Sequence, residues 1–567
     1  MSVSAHGAKQ GLTSYGDAGF SSFLRGVFLA SAGWDAGDLE RPIIGISNTE
    51  SDFNPCHRLA PSIIENIKRG VLEAGGVPFV FPTISLGETL LNPTSMYLRN
   101  LMAMETEEMI RAQPMDGVVL VGGCDKTVPA QAMAAISANI PSLLEVVGPM
   151  MTSSWRGERL GACTDCRRMW ASHRAGDLDE SEIQEVGNNL ATTGGTCMVM
   201  GTASTMASIM ETIGLLLPGG ATPPSPTGNR LRHGTATGRQ IVEMVREGRT
   251  PSSFISEKSF LNATIVLAAI GGSTNAVVHL LAIARRANID LTLDDLEPIF
   301  KETPLLLDLK PSGVGYMEDF DRAGGLPQLL VRLQPLLHLD AMNAYGMTLE
   351  EQLSDVSPRT DSKVIRELND PIAPAPTLAV IKGSLAPEGG ILKVSAASPH
   401  LFKHRGTARV FDSADQASIA LSDPLETFEA DDVLILRNSG PIGAGMPEAG
   451  SMAIPKGLAQ QGVKDILRVS DARMSGTSYG TVILHCSPES AVGGPLALVE
   501  DGDVIEFDLE SRTLDLIISE DEFERRKLAL KSVMDSGGLP DVSHSQWRTI
   551  FTRHVNQAHL GADLDLK

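Results

Sequence analysis

Between residues 42 and 121, short β-branched runs alternate with stretches of helical period, and no other feature of the chain restricts its fold as much. Residues 42–47 (Pro-Ile-Ile-Gly-Ile-Ser) read as a buried strand, 59–74 as an amphipathic helix and 77–82 as a second strand. A helix over 102–112 and a third strand over 117–121 follow. Such alternation predicts a parallel sheet covered by helices. Ligands of such sheets bind beyond the carboxyl ends of the strands. The pattern stops at 369–376, Asn-Asp-Pro-Ile-Ala-Pro-Ala-Pro, whose prolines disfavour helix and mark a linker. Beyond it, short strands with turns are expected at 378–382, 390–394, 408–411, 432–437, 466–470, 481–485 and 503–509. Residues 546–557 read as helical, ahead of an acidic tail. The expected fold class is therefore α/β. An N-terminal parallel-sheet α/β domain spans 1–370, and a C-terminal β-rich, barrel-like domain with flanking helices spans 377–567.

Charge narrows the partners. The net charge of −22 disfavours nucleic acid and anionic membranes, and at long range it also repels an acidic substrate. An anion site must then be built locally from metal ions, backbone amides or a few basic side chains. The uncharged run 262–284 is long enough to suggest a membrane span, but Gly271-Gly272-Ser273-Thr274-Asn275 interrupts it, so a buried helix–loop–helix is expected. Residues 1–14 are polar and lack the apolar core of a secretory signal, so a cytoplasmic location is expected. Six cysteines in such a compartment point to metal ligation or catalysis rather than to disulfides.

Three cysteines stand in similar settings: Asn54-Pro55-Cys56-His57, Gly122-Gly123-Cys124-Asp125-Lys126 and Gly194-Gly195-Thr196-Cys197. Neighbouring glycine or proline lets the backbone come close to a bulky ligand. Any one alone reads first as an inert buried thiol. Cys163-Thr164-Asp165-Cys166 is a C-x-x-C without a second pair at zinc-site spacing, and Cys486 reads as structural. The run Cys124-Asp125-Lys126 puts a soft thiol, a hard carboxylate and an amine on consecutive residues. Thiolate suits iron–sulfur and carboxylate suits magnesium, so two different metals side by side would explain that order; an incidental salt bridge at a strand end is the plainer account. Ser470-Asp471-Ala472-Arg473-Met474-Ser475-Gly476-Thr477 follows an expected strand and offers Ser475 on a small-residue loop. A serine there is either a turn residue or a base sustained by nearby positive charge. Gly443-Ala444-Gly445-Met446-Pro447-Glu448 frees the backbone and offers Glu448 to a cation.

Taken together, these stretches resemble the dihydroxy-acid dehydratase/6-phosphogluconate dehydratase family. The resemblance rests on Cys-Asp-Lys-x-x-Pro-Ala at Cys124, Ser-Asp-Ala-Arg-Met-Ser-Gly at Ser475, Asn-Pro-Cys at Cys56, Gly-Gly-Ser-Thr-Asn-Ala at Gly271 and Gly-Met-Pro-Glu at Glu448. It implies an iron–sulfur cluster on Cys56, Cys124 and Cys197, with one iron left open as a Lewis acid. It also implies Mg2+ held by Glu88, Asp125, Glu448 and a carbamate on Lys126. In the implied reaction Mg2+ binds the substrate carboxylate and C2 hydroxyl, and Ser475 removes the C2 proton as a metal-stabilised alkoxide. Thr477 hydrogen-bonds to the base or substrate, the C3 hydroxyl leaves to iron, and the enol becomes a 2-keto-3-deoxy acid.

Within the family, Cys197-Met198-Val199-Met200-Gly201-Thr202-Ala203-Ser204-Thr205-Met206, the Ser475-Gly476-Thr477 step and the ending 554–565 resemble the sugar-acid branch. That branch implies an aldonate substrate such as arabinonate, xylonate, galactonate or gluconate, a [2Fe-2S] cluster (with [4Fe-4S] as the alternative) and a homodimer or homotetramer. The absence of an extra basic cluster argues against a phosphorylated substrate. A branched-chain dihydroxy-acid dehydratase is the second expectation, and a non-catalytic iron–sulfur redox sensor is a third of another class. His57 is a candidate contact near the cluster or substrate. His554 reads as a surface histidine before it reads as one that reaches an active site, its own or a partner subunit's, and Ser273, Asn275 and His279 read as positioning residues.

Overall fold

The computed structural model describes residues 7–12, 16–35, 37–359, 363–535 and 545–566, so most of the polar opening stretch lies outside the described residues. Its first sheet consists of β1 (Ile43–Asn48), β2 (Val77–Pro82), β3 (Gly117–Gly122) and β4 (Ser142–Val146), in the order β2-β1-β3-β4 and all parallel. Every residue of β3 is buried, as a strand covered on both faces requires. The expected strands 42–47, 77–82 and 117–121 are present. β4 escapes a pattern search because Glu145 interrupts its apolar run. That carboxylate is buried and takes hydrogen bonds from His233 (2.8 Å), Thr237 (2.7 Å) and Arg230 (3.2 Å).

The helices needed here are α1 (Ala60–Glu73), α2 (Met96–Ala112), α3 (Thr127–Ala138), α4 (Thr164–Ala175), α5 (Thr202–Ile213), α6 (Gly228–Glu247), α7 (Glu257–Ala269), α8 (Asn275–Arg286) and α9 (Gln546–His554). α1 turns Ile63, Ile64, Ile67 and Val71 inward and packs on α6. Helix α2 begins six residues ahead of the expected 102. Its first turns carry Arg99 and Asn100, which hide the helical period but are fully buried. The 262–284 stretch is a helix–loop–helix, with α7 and α8 flanking a loop at 270–274. Among the described residues no helix is long and apolar enough to cross a membrane.

The second sheet has eight strands: β7 (Ala379–Ile381), β8 (Gly389–Leu392), β9 (Lys403–Phe411), β10 (Val433–Leu436), β11 (Leu467–Ser470), β12 (Val482–Ser487), β13 (Val504–Asp508) and β14 (Thr513–Ile517). A short hairpin, β5 (Ser153–Trp155) with β6 (Glu158–Leu160), lies between the sheets in sequence. The order β14-β13-β9-β10-β11-β12-β8-β7 is parallel through β9–β12 and antiparallel at the flanks. Its edges meet: Lys382 N donates to Arg512 O (2.9 Å) and Leu514 N to Lys382 O (2.8 Å), which closes a barrel. Ala408, Val433, Ile435, Val469, Ile483 and Phe507 fill it. The barrel-like second half is thus present, with β14 as one strand more than expected.

Candidate active site

The loops that leave the carboxyl ends of the first sheet carry the thiols. Cys56 sits in a short turn (Pro55–His57) beyond β1, and Cys124 is the second residue past β3. Their sulfurs lie 3.9 Å apart. His57 sets this spacing. Its Nε2 accepts the backbone N–H groups of Gly123 and Cys124, both at 3.0 Å, while Nδ1 lies 3.0 Å from the Thr49 carbonyl. Burial lowers the His57 pKa to about 4, which keeps Nε2 an acceptor. The neighbouring Cys124 thiol and burial push Cys56 well above the ordinary thiol range, and a bound cation would favour its thiolate.

Cys197 arrives beyond β4. Thr196 N donates to Gly148 O (2.9 Å) and Met150 N to Thr196 O (2.9 Å). The preceding Gly195 adopts φ 135°, and a Cβ there would come within 2.8 Å of Met150 N, so the close passage requires glycine. Cys163, at the start of α4, places its sulfur 2.9 Å from that of Cys197.

Hard ligands adjoin the soft ones. Cys124 Sγ is 3.7 Å from Asp125 Oδ1. Glu88, Asp125 and Glu448 bring carboxylate oxygens within 4.8 Å of one another, the only such trio among the described His, Cys, Asp and Glu residues. Lys126 is completely buried among them; it pairs with Asp125 and stands 3.7 Å from Glu88. Arg473 clamps the group, donating to Glu88 (2.6 Å), Glu448 (2.6 Å), Thr94 Oγ1 (3.1 Å) and the Met446 carbonyl (2.6 Å). Burial alone would raise Glu88, but Arg473, Lys126 and the Ser95 hydroxyl outweigh it and bring the pKa to about 2. At Glu448 burial prevails over Arg473 and the pKa rises.

Ser475 follows β11 on the barrel. Its Oγ is 2.9 Å from Thr477 Oγ1, and Thr477 N approaches it at 3.4 Å. The loop is pressed onto the segment that follows Cys197. A Cβ on Gly476 would meet Ser273 Oγ at 2.6 Å and Thr202 N at 2.8 Å. Thr202 Oγ1 is in turn 2.8 Å from Ser273 Oγ and accepts from Asn275 Nδ2 (3.1 Å), so Ser273 and Asn275 position the contact. Asp471 anchors the loop by accepting Ser439 N and Ser490 N, both at 2.9 Å.

The structure therefore gathers two neighbouring clusters, thiols against carboxylates, with the serine loop beside the third cysteine. The donor chemistry fits a sulfur-ligated cluster next to a hard divalent ion. His554 is exposed at the end of α9 and does not join them. Cys486 is buried in β12 among barrel residues. His279 lies in the packing behind the site, 3.0 Å from Arg99. Sequence reasoning gave no role to Arg473, Ser95 or the Cys163–Cys197 contact. Arg473 stands inside the Ser-Asp-Ala-Arg motif, which was its available signal.

Comparison with known proteins bears on the same residues. Residues 41–352 match the dihydroxy-acid/6-phosphogluconate dehydratase N-terminal family model, and 363–562 match the C-terminal one. The chain is 44% identical over 531 residues to the 6-deoxy-6-sulfo-D-gluconate dehydratase of Pseudomonas putida, covering 93% of this chain and 90% of that protein. It is 44% identical over 528 residues to the L-arabinonate dehydratase of Rhizobium leguminosarum bv. trifolii, with the same coverage. To the dihydroxy-acid dehydratase of Halothermothrix orenii it is 34% identical, over 96% of this chain and 98% of that one. The chain belongs to the dihydroxy-acid/6-phosphogluconate dehydratase family and is a hydro-lyase.

Proposed function

We propose that this chain removes water from an aldonate to give a 2-keto-3-deoxy acid. The observation that carries this reading is a difference in likeness. Relatives named for sugar acids are 43–44% identical to it, whereas those named dihydroxy-acid dehydratase are 34–37% identical.

In this reading Cys56, Cys124 and Cys197 hold an iron–sulfur cluster, [2Fe-2S] rather than [4Fe-4S], and Glu88, Asp125, Glu448 and Lys126 hold Mg2+. When bound, these groups supply Lewis acidity toward the leaving C3 hydroxyl and positive charge toward the substrate carboxylate. Lys126 enters as a carbamate. Its amine pairs with Asp125 and stands 3.7 Å from Glu88, and carbamylation would turn that cation into an oxygen donor. Arg473 remains as the counter-charge to the carboxylates. Ser475 Oγ takes the C2 proton. The Thr477 hydroxyl, 2.9 Å away, donates to the oxygen when it is deprotonated. The product enol then tautomerises to the keto acid.

The test is an assay of the iron-, sulfide- and magnesium-loaded enzyme across pentonates, hexonates and 2,3-dihydroxyisovalerate. A keto acid from an aldonate is expected; turnover of the branched-chain acid alone would overturn the reading. Ser475→Ala should retain its iron, sulfide and magnesium while kcat falls at least ~100-fold. Near-normal turnover would remove serine from the base role.

A further inference from the structure

Cys163 is a thiol that the function above leaves unused. Its sulfur lies 2.9 Å from Cys197, whose loop packs on those of Cys56 and Cys124: a Cβ on Gly123 would lie 3.2 Å from Thr196 Cγ2, and one on Gly194 3.3 Å from Arg58 Cβ. Four thiols thus converge as two pairs, Cys56 with Cys124 at 3.9 Å and Cys163 with Cys197 at 2.9 Å. Two thiolates on one tetrahedral metal, at a metal–sulfur distance of about 2.3 Å, stand about 3.8 Å apart. The first pair meets that spacing, and the second reaches it by opening slightly. No three of the thiols lie within 4.8 Å of one another, so the set does not suit a single ion. Two pairs, one per metal, is the arrangement of a two-iron cluster with four cysteine ligands.

The segment that carries Cys163 is fixed in place. Thr164 Oγ1 donates to the carbonyl of Thr477 (3.1 Å), which ties the start of α4 to the serine loop. Asp165 accepts Gly161 N (2.9 Å) and Lys310 Nζ (2.8 Å). Met150, Ala162, Met198, Val199 and Tyr316 pack against Cys163 and Cys197, which stay half-buried. Cys166, three residues along α4, lies beside Cys163.

We infer that Cys163 is a fourth, reversible thiolate ligand of the iron–sulfur group held by Cys56, Cys124 and Cys197. The inference rests on the cluster reading above. With the cluster bound and no substrate present, Cys163 would give its thiol proton to solvent and supply the resulting thiolate to iron. Substrate binding would reverse this, with a substrate oxygen taking the place of the thiolate and Cys163 regaining a proton from solvent. No electron is transferred.

The experiment compares the full chain with Cys163→Ala, Cys163→Ser and Cys166→Ser after anaerobic reconstitution with iron and sulfide. Iron and acid-labile sulfide are measured first, then Mössbauer spectra without substrate. The unaltered chain should show iron sites that are all sulfur-ligated and alike. Cys163→Ala should show two unlike sites, one shifted toward oxygen ligation, and the better volume-matched Cys163→Ser should show the same shift. Cys166→Ser should keep the unaltered spectrum. Adding an aldonate should move the unaltered spectrum toward that of Cys163→Ala. Identical spectra for the unaltered chain and both Cys163 variants would overturn the inference. So would a Cys163–Cys197 disulfide found by mass spectrometry in the cluster-loaded chain. Iron and sulfide missing from every form would instead sink the cluster reading itself.

Discussion

Arg473 joins Glu88 and Glu448, which lie 360 positions apart, on one buried guanidinium. It lowers both carboxylates, but only at Glu88, helped by Lys126 and Ser95, does it outweigh burial; at Glu448 burial prevails and the pKa rises. Lys393 is the contrary case. It is fully buried, its Nζ has no hydrogen-bond partner, and burial lowers its pKa to about 7. An unfolded lysine titrates near 10.4. Between about 7 and about 10 the folded state therefore binds fewer protons than the unfolded one. The associated stability is present above about 10 and is lost as pH falls toward 7. Lys393→Met keeps the length without the charge, so it should raise stability at pH ~7 by a few kcal/mol and flatten the slope. Urea unfolding at pH ~7 and ~9.5 checks this, and an unchanged slope contradicts it. At this scale the motifs named Cys56, Cys124, Asp125, Lys126, Glu448 and Ser475 before any fold was known. Motifs could not name what Arg473 or Cys163 touches, because each partner comes from a different loop.

Helices α1 and α6 meet backbone to backbone at Gly70 and Gly238. A Cβ on Gly238 would lie 2.2 Å from Ile67 O, and one on Gly70 would lie 2.1 Å from Thr235 O. Backbone atoms cannot swing away as a side-chain tip can. Gly238→Ala should therefore destabilise by about 1–3 kcal/mol despite alanine's better helix propensity. Gly187, in the helix Glu180–Leu190, faces open space, and Gly187→Ala should be stabilising by up to about 1 kcal/mol. Paired denaturation curves check both; equal shifts of the same sign would contradict the crossing argument. The elements themselves were legible where burial is apolar, as in β1, β2, β3 and α1. Legibility failed where a buried polar residue finds a distant partner, as Glu145 does in β4 and Arg99 in α2.

The whole molecule is closed by its last residues. α9 and the segment after it fold back onto α2 and α8. Arg99 donates to the carbonyls of Gly561 (2.9 Å) and Ala562 (2.7 Å), Trp547 Nε1 donates to Tyr97 O (2.5 Å), and Arg286 pairs with Asp563 at 2.7 Å. Asp563 is only 3% exposed, so Asp563→Ala should cost on the order of 3 kcal/mol. It should also release the carboxyl end to protease, which thermal melts and limited proteolysis would show. A melt shift no larger than that of an exposed control such as Asp340→Ala would contradict this. The sequence alone determined the chemistry on offer, since soft thiol, carboxylate, amine and serine are written in short motifs, along with the alternation that builds a parallel sheet. The tertiary structure alone decided which groups meet. Cys163 reaches Cys197 across 34 positions and Arg473 reaches Glu88 across 385, and such contacts arise from the packing of sheet, barrel and tail, which leaves no local period in the chain.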